Sequence, residues 1–314
     1  MKKKAIIISI KSYKLNSKEI DLFTKYKPWG LILFKRNIKS IKQIKYLIKT
    51  IKTITKNSKF PILIDEEGGT VSRLNNLINH NLSQYFFGEL YKNDSGISEE
   101  IYKTYINNLC KLLIDIGINI NSVPVLDVLR KKTNKIIGYR SFSNNSKIVK
   151  KLGDICINQY HQNKIGTIIK HIPGHGCSIL DSHLKLPKVK LSIKDLNRID
   201  FKPFMLSKSQ FAMTAHILYE KIDKNNVATF SKKIISQIIR KKMSFKGILI
   251  SDDLSMKALN FDLVTNAKKS LLAGCNLVLY CAGKYKESLK LLKAVPFIDK
   301  FTQKKTSEFY KFLR

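Results

Sequence analysis

Cysteine is scarce in this chain and arranged in no pairing motif. The five residues (Cys110, Cys156, Cys177, Cys275 and Cys281) form no CxxC and are odd in number. That argues against a disulfide framework and for reduced thiols, as in the cytoplasm. Long apolar runs are missing too. None approaches the ~18 residues of a membrane-spanning helix, so no membrane span is expected. The N-terminal MKKKAIIISIKS imitates a secretory leader, but its apolar stretch covers only residues 5–10 before Lys11. A signal sequence needs roughly seven or more apolar residues and a small-residue cleavage site, so cytoplasmic localisation is the expectation. A GxSxG elbow is absent, which removes support for a serine-hydrolase triad. Acidic residues are few, 23 against 58 basic ones, for a formal net charge of +35. Such a surplus suggests nucleic acid or another anionic polymer as a partner. Only seven of the basic residues are arginines, however, and the lysines run evenly from Lys2 to Lys311. Lysine, isoleucine and asparagine share A/T-rich codons, so codon composition explains the charge more simply than a specific nucleic-acid partner.

What is present is a rhythm. Apolar runs at 5–10, 30–34, 61–65, 120–128, 166–172, 210–217, 247–253 and 276–282 alternate with helix-like stretches such as 40–56, 98–116, 144–163, 231–243 and 262–273. Strands alternating with helices imply parallel βαβ units. Eight units in 314 residues predict an α/β fold, a single (β/α)8 TIM barrel, with a doubly wound sheet as the alternative. The tail after Ala282 adds one or two extra C-terminal helices. No Gly/Ser-rich linker or composition break divides the chain, so residues 1–314 read as one catalytic domain.

Asp65, Asp127, His171, His216 and Asp252 fall at or just past the C-terminal ends of runs. In a barrel those ends share the face on which active sites form. Each acid could instead cap the next helix. The densest chemistry lies in KHIPGHGCSILDSH, residues 170–183, with three histidines, a lysine and an aspartate in fourteen positions. His171 and His175 have the i, i+4 spacing of a helical zinc pair, but Pro173 and Gly174 between them disfavour a helix, leaving a loop-borne metal site as a minor alternative. In Asp181-Ser182-His183 the carboxylate can orient the imidazole and stabilise its protonated form, a donor and acceptor of protons near neutral pH. SDD at 251–253 and DEEGG at 65–69 supply carboxylates, with Arg73, Arg140 and Lys170 as cations. That mixture suits a ligand rich in hydroxyls and carbonyls, such as a sugar.

KHIPGHG, four residues, then DSH resembles the signature of glycoside hydrolase family 3 β-N-acetylglucosaminidases of the NagZ type. GLILFKRN, LIDEEGGTVSRL, PVLDV, IGYRSF, MTAHI and SDDLSM are similar to that family's segments, in its order, from about Gly30 to Ala282. The resemblance implies a retaining exo-glycosidase that removes N-acetylglucosamine from peptidoglycan-derived muropeptides, with no cofactor and no metal. It implies Asp252 as the nucleophile and His183 as the general acid/base, oriented by Asp181. Asp65, Arg73, Arg140, Lys170 and His171 would bind the sugar, Met213 and His216 would lie near the pocket, and His175 would shape the loop. Glu66 departs from the family's usual glutamine and adds a charge beside Asp65. A phosphorylase on the same scaffold, a metal-dependent hydrolase and a non-catalytic anionic-polymer-binding protein are the other readings. The expected partner is an acidic carbohydrate, which a basic surface suits, and a monomer is expected.

Overall fold

The computed structural model describes residues 2–78, 80–182 and 184–313. Its centre is a closed barrel of eight parallel strands: β1 (Lys4–Ile8), β2 (Pro28–Leu33), β3 (Ile62–Ile64), β4 (Ile120–Asn121), β5 (Gly166–Ile172), β6 (Phe211–Thr214), β7 (Ile248–Asp253) and β8 (Leu277–Tyr280). Each pairs with its sequence neighbours, and β1 closes on β8 with Ile7 opposite Leu279. Each of the eight apolar runs overlaps one of these strands. Closure sets the doubly wound alternative aside.

Period-two alternation divides the core into two layers. Ala5 and Ile7, Ile248 and Ile250, Leu277 and Leu279 point into the barrel with Trp29, Ile168, Phe211 and Met213. Ile6 and Ile8, Leu249, Val278 and Tyr280 point outwards to the helices. Continued one step, the alternation carries Lys170 above Ile168 and Asp252 above Ile250, onto the barrel mouth. Met213 lies in the barrel interior.

The helices are amphipathic for the same reason. In Ile41–Ile54 the buried positions are Ile44, Leu47, Ile48 and Ile51, an i, i+3, i+4, i+7 stripe, with lysines on the outer side. Each such fully buried aliphatic side chain contributes about 1.5–3 kcal/mol. Ser40 caps this helix by accepting from Gln43 N, and Asp94, Asn145, Asp262 and Asp299 cap four others. These five helices therefore begin on caps of their own, and the strand-end acids Asp65, Asp127 and Asp252 cap none of them.

Two extra helices follow the barrel, Tyr285–Ala294 and Lys300–Phe312. The second closes the barrel floor. Phe309 packs edge-on against Phe211 at 5.1 Å between ring centroids, and Trp29 Nε1 donates to Thr306 Oγ1 at 2.9 Å in a buried contact. Three features depart from the sequence pattern. Residues 231–243 form a wide π-type helix, Ile234–Lys242. A helix at Gln84–Asn93 and a two-stranded sheet of Lys188–Val189 with Leu218–Tyr219 are additional.

Candidate active site

At the C-terminal end of β3 the chain turns through Glu67, Gly68 and Gly69, with both glycines at positive φ. A side chain on Gly68 would lie 2.2 Å from Leu82 O, so only glycine lets the turn press against its neighbour. The turn presents Asp65 and Glu67 to Lys170, which rises from β5 and is almost wholly buried. Its Nζ lies 2.9 Å from Asp65 Oδ1, 2.6 Å from Glu67 Oε1 and 3.0 Å from Ser122 Oγ. Arg73 Nη2 reaches Asp65 Oδ2 at 3.4 Å, while Arg73 Nε has no hydrogen-bond partner among the described residues. Arg140 grips Glu67 with two prongs, at 2.8 and 2.9 Å. This fork geometry fixes the guanidinium plane.

The electrostatics follow from these pairs. Burial opposes charge on Asp65, but Lys170 and Arg73 overcome it and hold the carboxyl well below its ordinary value. Burial likewise works against Glu67, and Arg140 and Lys170 bring it down to about 2. Both are carboxylates at neutral pH, able to accept hydrogen bonds from hydroxyls.

Asp127, fully buried at the end of the 120–128 run, is the hub of the adjoining loop. Its Oδ2 lies 2.7 Å from His171 Nδ1, and its Oδ1 accepts from His175 N at 2.5 Å. Burial alone would raise its pKa; His171 and the bond from His175 lower it. As a carboxylate it can only accept, so His171 Nδ1 carries a proton toward it. In neutral His171 the acceptor nitrogen is then Nε2, which stands 3.5 Å from Arg140 Nη2. His175 is brought down to about 4 by burial and by the neighbouring His171. It is neutral at pH 7, and its Nε2 meets Ser182 Oγ at 3.1 Å. It ties the loop to Asp127 through its backbone and to Ser182 through its ring.

Asp252 and Asp253 divide the top of β7. Both oxygens of Asp253 are engaged by Ser255 and the Cys281 amide, so it braces the turn. Asp252, half-buried, accepts from Asp253 N at 2.7 Å. Cys281 shows that these acids converge: burial first, then the negative charges of Asp253, Asp65 and Asp252, push its thiol well above the ordinary value. His216 is held neutral mainly by burial, with Nδ1 on Thr229 Oγ1 and Nε2 donating to Asp253 O. The loop after β7 also meets the histidine-bearing loop, since Ala258 N donates to Ser182 O. Asp181 sits in that loop, half-buried, accepting Leu184 N and Lys185 N on its carbonyl. His183 lies outside the described residues.

Asp65, Arg73, Arg140, Lys170 and His171 thus join one line of contacts: Arg73 to Asp65, Lys170, Glu67, Arg140, His171, Asp127, His175 and Ser182. Sequence reasoning missed the parts played by Glu67, Asp127 and Gln84. Gln84 donates to Val125 O and Arg140 O and accepts from Val125 N. Glu66 is also not what its neighbourhood suggests. Its Oε2 accepts from Arg73 N and Leu74 N and its Oε1 pairs with His80, whose Nδ1 meets Tyr105 OH. It is a buried brace for the loop that carries Arg73.

The sequence pattern described as "Glycosyl hydrolase family 3 N terminal domain" matches residues 2–306. The chain belongs to glycoside hydrolase family 3. Among family relatives, the β-hexosaminidase of Haemophilus influenzae (strain ATCC 51907 / DSM 11121 / KW20 / Rd) is 32% identical over 283 residues, 88% of this chain and 79% of that protein. The crystal structure of NagZ from Neisseria gonorrhoeae in complex with N-trifluoroacetyl-D-glucosamine superposes with a TM-score of 0.90 at 27% identity, covering 100% of this chain and 91% of that one. A family 3 β-N-acetylglucosaminidase from Paenibacillus sp. str. FPU-7 gives 0.88 at 25% identity, and this chain spans 60% of its length. Membership and these similarities make the chain a glycoside hydrolase, a β-N-acetylhexosaminidase of the NagZ type. Among the described residues no helix is long and apolar enough to cross a membrane.

Proposed function

We propose that this family 3 enzyme removes a terminal β-linked N-acetylglucosamine from peptidoglycan fragments, N-acetylglucosamine-β-1,4-(anhydro)-N-acetylmuramic acid with or without peptide, in the cytoplasm as a step of wall recycling. It acts as a monomer and through a covalent intermediate. The observation that supports this most is the line of charged contacts around Lys170. It sets paired carboxylates beside cations, one of them forked, a combination suited to a polyhydroxylated ring.

In the first step Asp252 attacks C1 of the sugar while the His183–Asp181 pair gives a proton to the departing glycosidic oxygen, so the C1–O bond breaks as the Asp252 ester forms. In the second, the neutral imidazole takes a proton from water, which attacks C1 and releases Asp252. A histidine donor spares the site a second carboxylate beside the nucleophile. Asp65, Lys170, Arg73, Arg140 and His171 hold the ring, so that its C1 stays aligned with Asp252.

The test is release of a chromogenic aglycone from a β-N-acetylglucosaminide, with EDTA present, for wild type, Asp252→Asn and His183→Ala. Wild type is expected to turn over, Asp252→Asn to lose nearly all activity, and a slow fluorinated substrate to leave a sugar adduct on a peptide containing Asp252. Full activity in Asp252→Asn, or adduct on another residue, removes the assignment. Accumulation of sugar 1-phosphate when phosphate is supplied would reassign the acceptor from water to phosphate.

A further inference from the structure

The segment between Asp127 and Arg140 makes contacts that neither residue explains. Thr133 Oγ1 accepts from Arg130 N at 2.6 Å and donates to Gly176 O at 2.5 Å. Asn134 N donates to Ser178 O at 3.0 Å, and its Nδ2 donates to Ile179 O at 3.1 Å. The Asn134 side chain is itself fixed, because its Oδ1 accepts from Ile136 N at 2.9 Å. Arg130 pins the near end of the segment on the buried Asp200. At the far end Arg140 is forked onto Glu67. The fit is tight from below as well, since a side chain on Gly176 would lie 1.9 Å from Val128 O.

Three backbone carbonyls of the histidine-bearing loop, at 176, 178 and 179, are therefore held by two polar residues that belong to another loop. Neither residue is part of the line of contacts around Lys170. We propose that Thr133 and Asn134 are positioning residues for proton transfer, holding the 176–179 backbone so that the Asp181–His183 pair meets the leaving-group oxygen. This rests on the reading that the loop carries the general acid. The hydroxyl matters because a single group must accept from one backbone and donate to another, which serine or threonine can do and valine cannot. The same strap ends on Arg140, so the grip on the sugar and the hold on the proton donor are parts of one segment.

Proton donation matters in proportion to how poorly the aglycone leaves by itself, and that gives a readout that general loosening of the fold does not move. The experiment measures kcat/KM on aryl β-N-acetylglucosaminides whose phenols span pKa values from about 4 to about 10. The proteins are wild type, Thr133→Val, Thr133→Ser, Asn134→Ala and His183→Ala. Thr133→Val and Asn134→Ala are expected to lose about tenfold or more on the poorest leaving groups and less than about twofold on the best, a weaker version of His183→Ala. Thr133→Ser is expected to keep the wild-type slope. An equal loss across the series, or none, with His183→Ala still steep, overturns the positioning role alone. A flat series for His183→Ala itself overturns the proton-donor reading and the positioning role with it.

Discussion

Two lysines in this lysine-rich chain are buried among the described residues, and they stand at opposite ends of the barrel: Lys3 at the floor and Lys170 at the mouth. Lys170 lies between two carboxylates and a hydroxyl. Lys3 lies over the rings of Phe60 and Tyr310 and reaches the Tyr310 hydroxyl. Burial brings the Lys3 ammonium down from 10.5 to about 8. The histidines repeat the contrast. His161 at the floor is brought down to about 4 by burial and packs on Phe312, whereas His171 at the mouth is turned by Asp127 toward Arg140. Floor polar groups finish backbone hydrogen bonds, as Asn119 does for Ile62 N and Phe60 O. Mouth polar groups grip one another. One end of the barrel is built for stability and the other to hold charge in place, and that division can be broken on purpose.

The largest expected effect is at the mouth. Asp252→Asn should lower kcat/KM by about 10³-fold or more, at least about 4 kcal/mol of barrier, while the denaturation midpoint stays within about 2 °C of wild type, about 1 kcal/mol or less. A matching fall in stability would show that Asp252 braces the fold. The converse belongs to the floor. Phe309→Ala removes a ring that is 2% exposed and should destabilise by about 3–5 kcal/mol. Activity per folded molecule should be unchanged below the new midpoint. If kcat falls while the protein is folded, the two ends are coupled and the division is wrong.

The division also explains what was legible in the sequence. Barrel strands are buried on both faces, so they read as unbroken apolar runs, and polar residues just past their ends stood out against them. The run at 120–128 overstates its strand, which is only Ile120–Asn121; beyond it the pairing with β5 is a single bridge, Val125 to Lys170. The Gln84–Asn93 helix was illegible for a different reason. QYFFGELYKN is rich in aromatics and carries Gly88, all weak helix formers, and Gly88 is there because a side chain would lie 1.7 Å from Phe142 O. Tertiary packing makes that helix, and its Gln84 then fixes Arg140. Glu67 and Asp127 were visible as acids, but their partners come from strands far away in sequence. Glu66 looked like an added charge at the sugar; only its bonds to Arg73 N, Leu74 N and His80 reveal a brace.

Glu67 sharpens the comparison because it belongs to both descriptions, a buried group whose partners are the mouth cations Lys170 and Arg140. In the folded protein its carboxyl is held at about 2, against 4.5 when unperturbed. A lowered carboxyl contributes stability that is complete above pH 4.5 and disappears as pH falls through about 2. Glu67→Gln should therefore cost about 3 kcal/mol at pH 7, where it leaves Lys170 and Arg140 short of a partner. The gap to wild type should close as the pH is lowered toward 2, as urea titrations at a series of pH values would record. A gap that stays constant with pH would mean that the side chain matters by its shape alone.

Lys3 gives the smallest effect and the opposite sign. With its pKa lowered in the folded state, the unfolded chain binds more protons between pH 8 and 10.5, so stability rises with pH across that window and the full burden of burying the charge is felt below it. Lys3→Met keeps the length of the side chain and removes that burden. Part of the gain is offset by the lost contacts with the Phe60 and Tyr310 rings and the Tyr310 hydroxyl, each about 0.5–1.5 kcal/mol. The net expectation is a protein about 1 kcal/mol more stable at pH 7, with the advantage fading as the pH rises through 8 toward 10.5 and with activity unchanged. Were Lys3→Met instead less stable at pH 7, the floor lysine would be an anchor in its own right. The difference between the two buried lysines would then lie in their partners and not in what burial does to each.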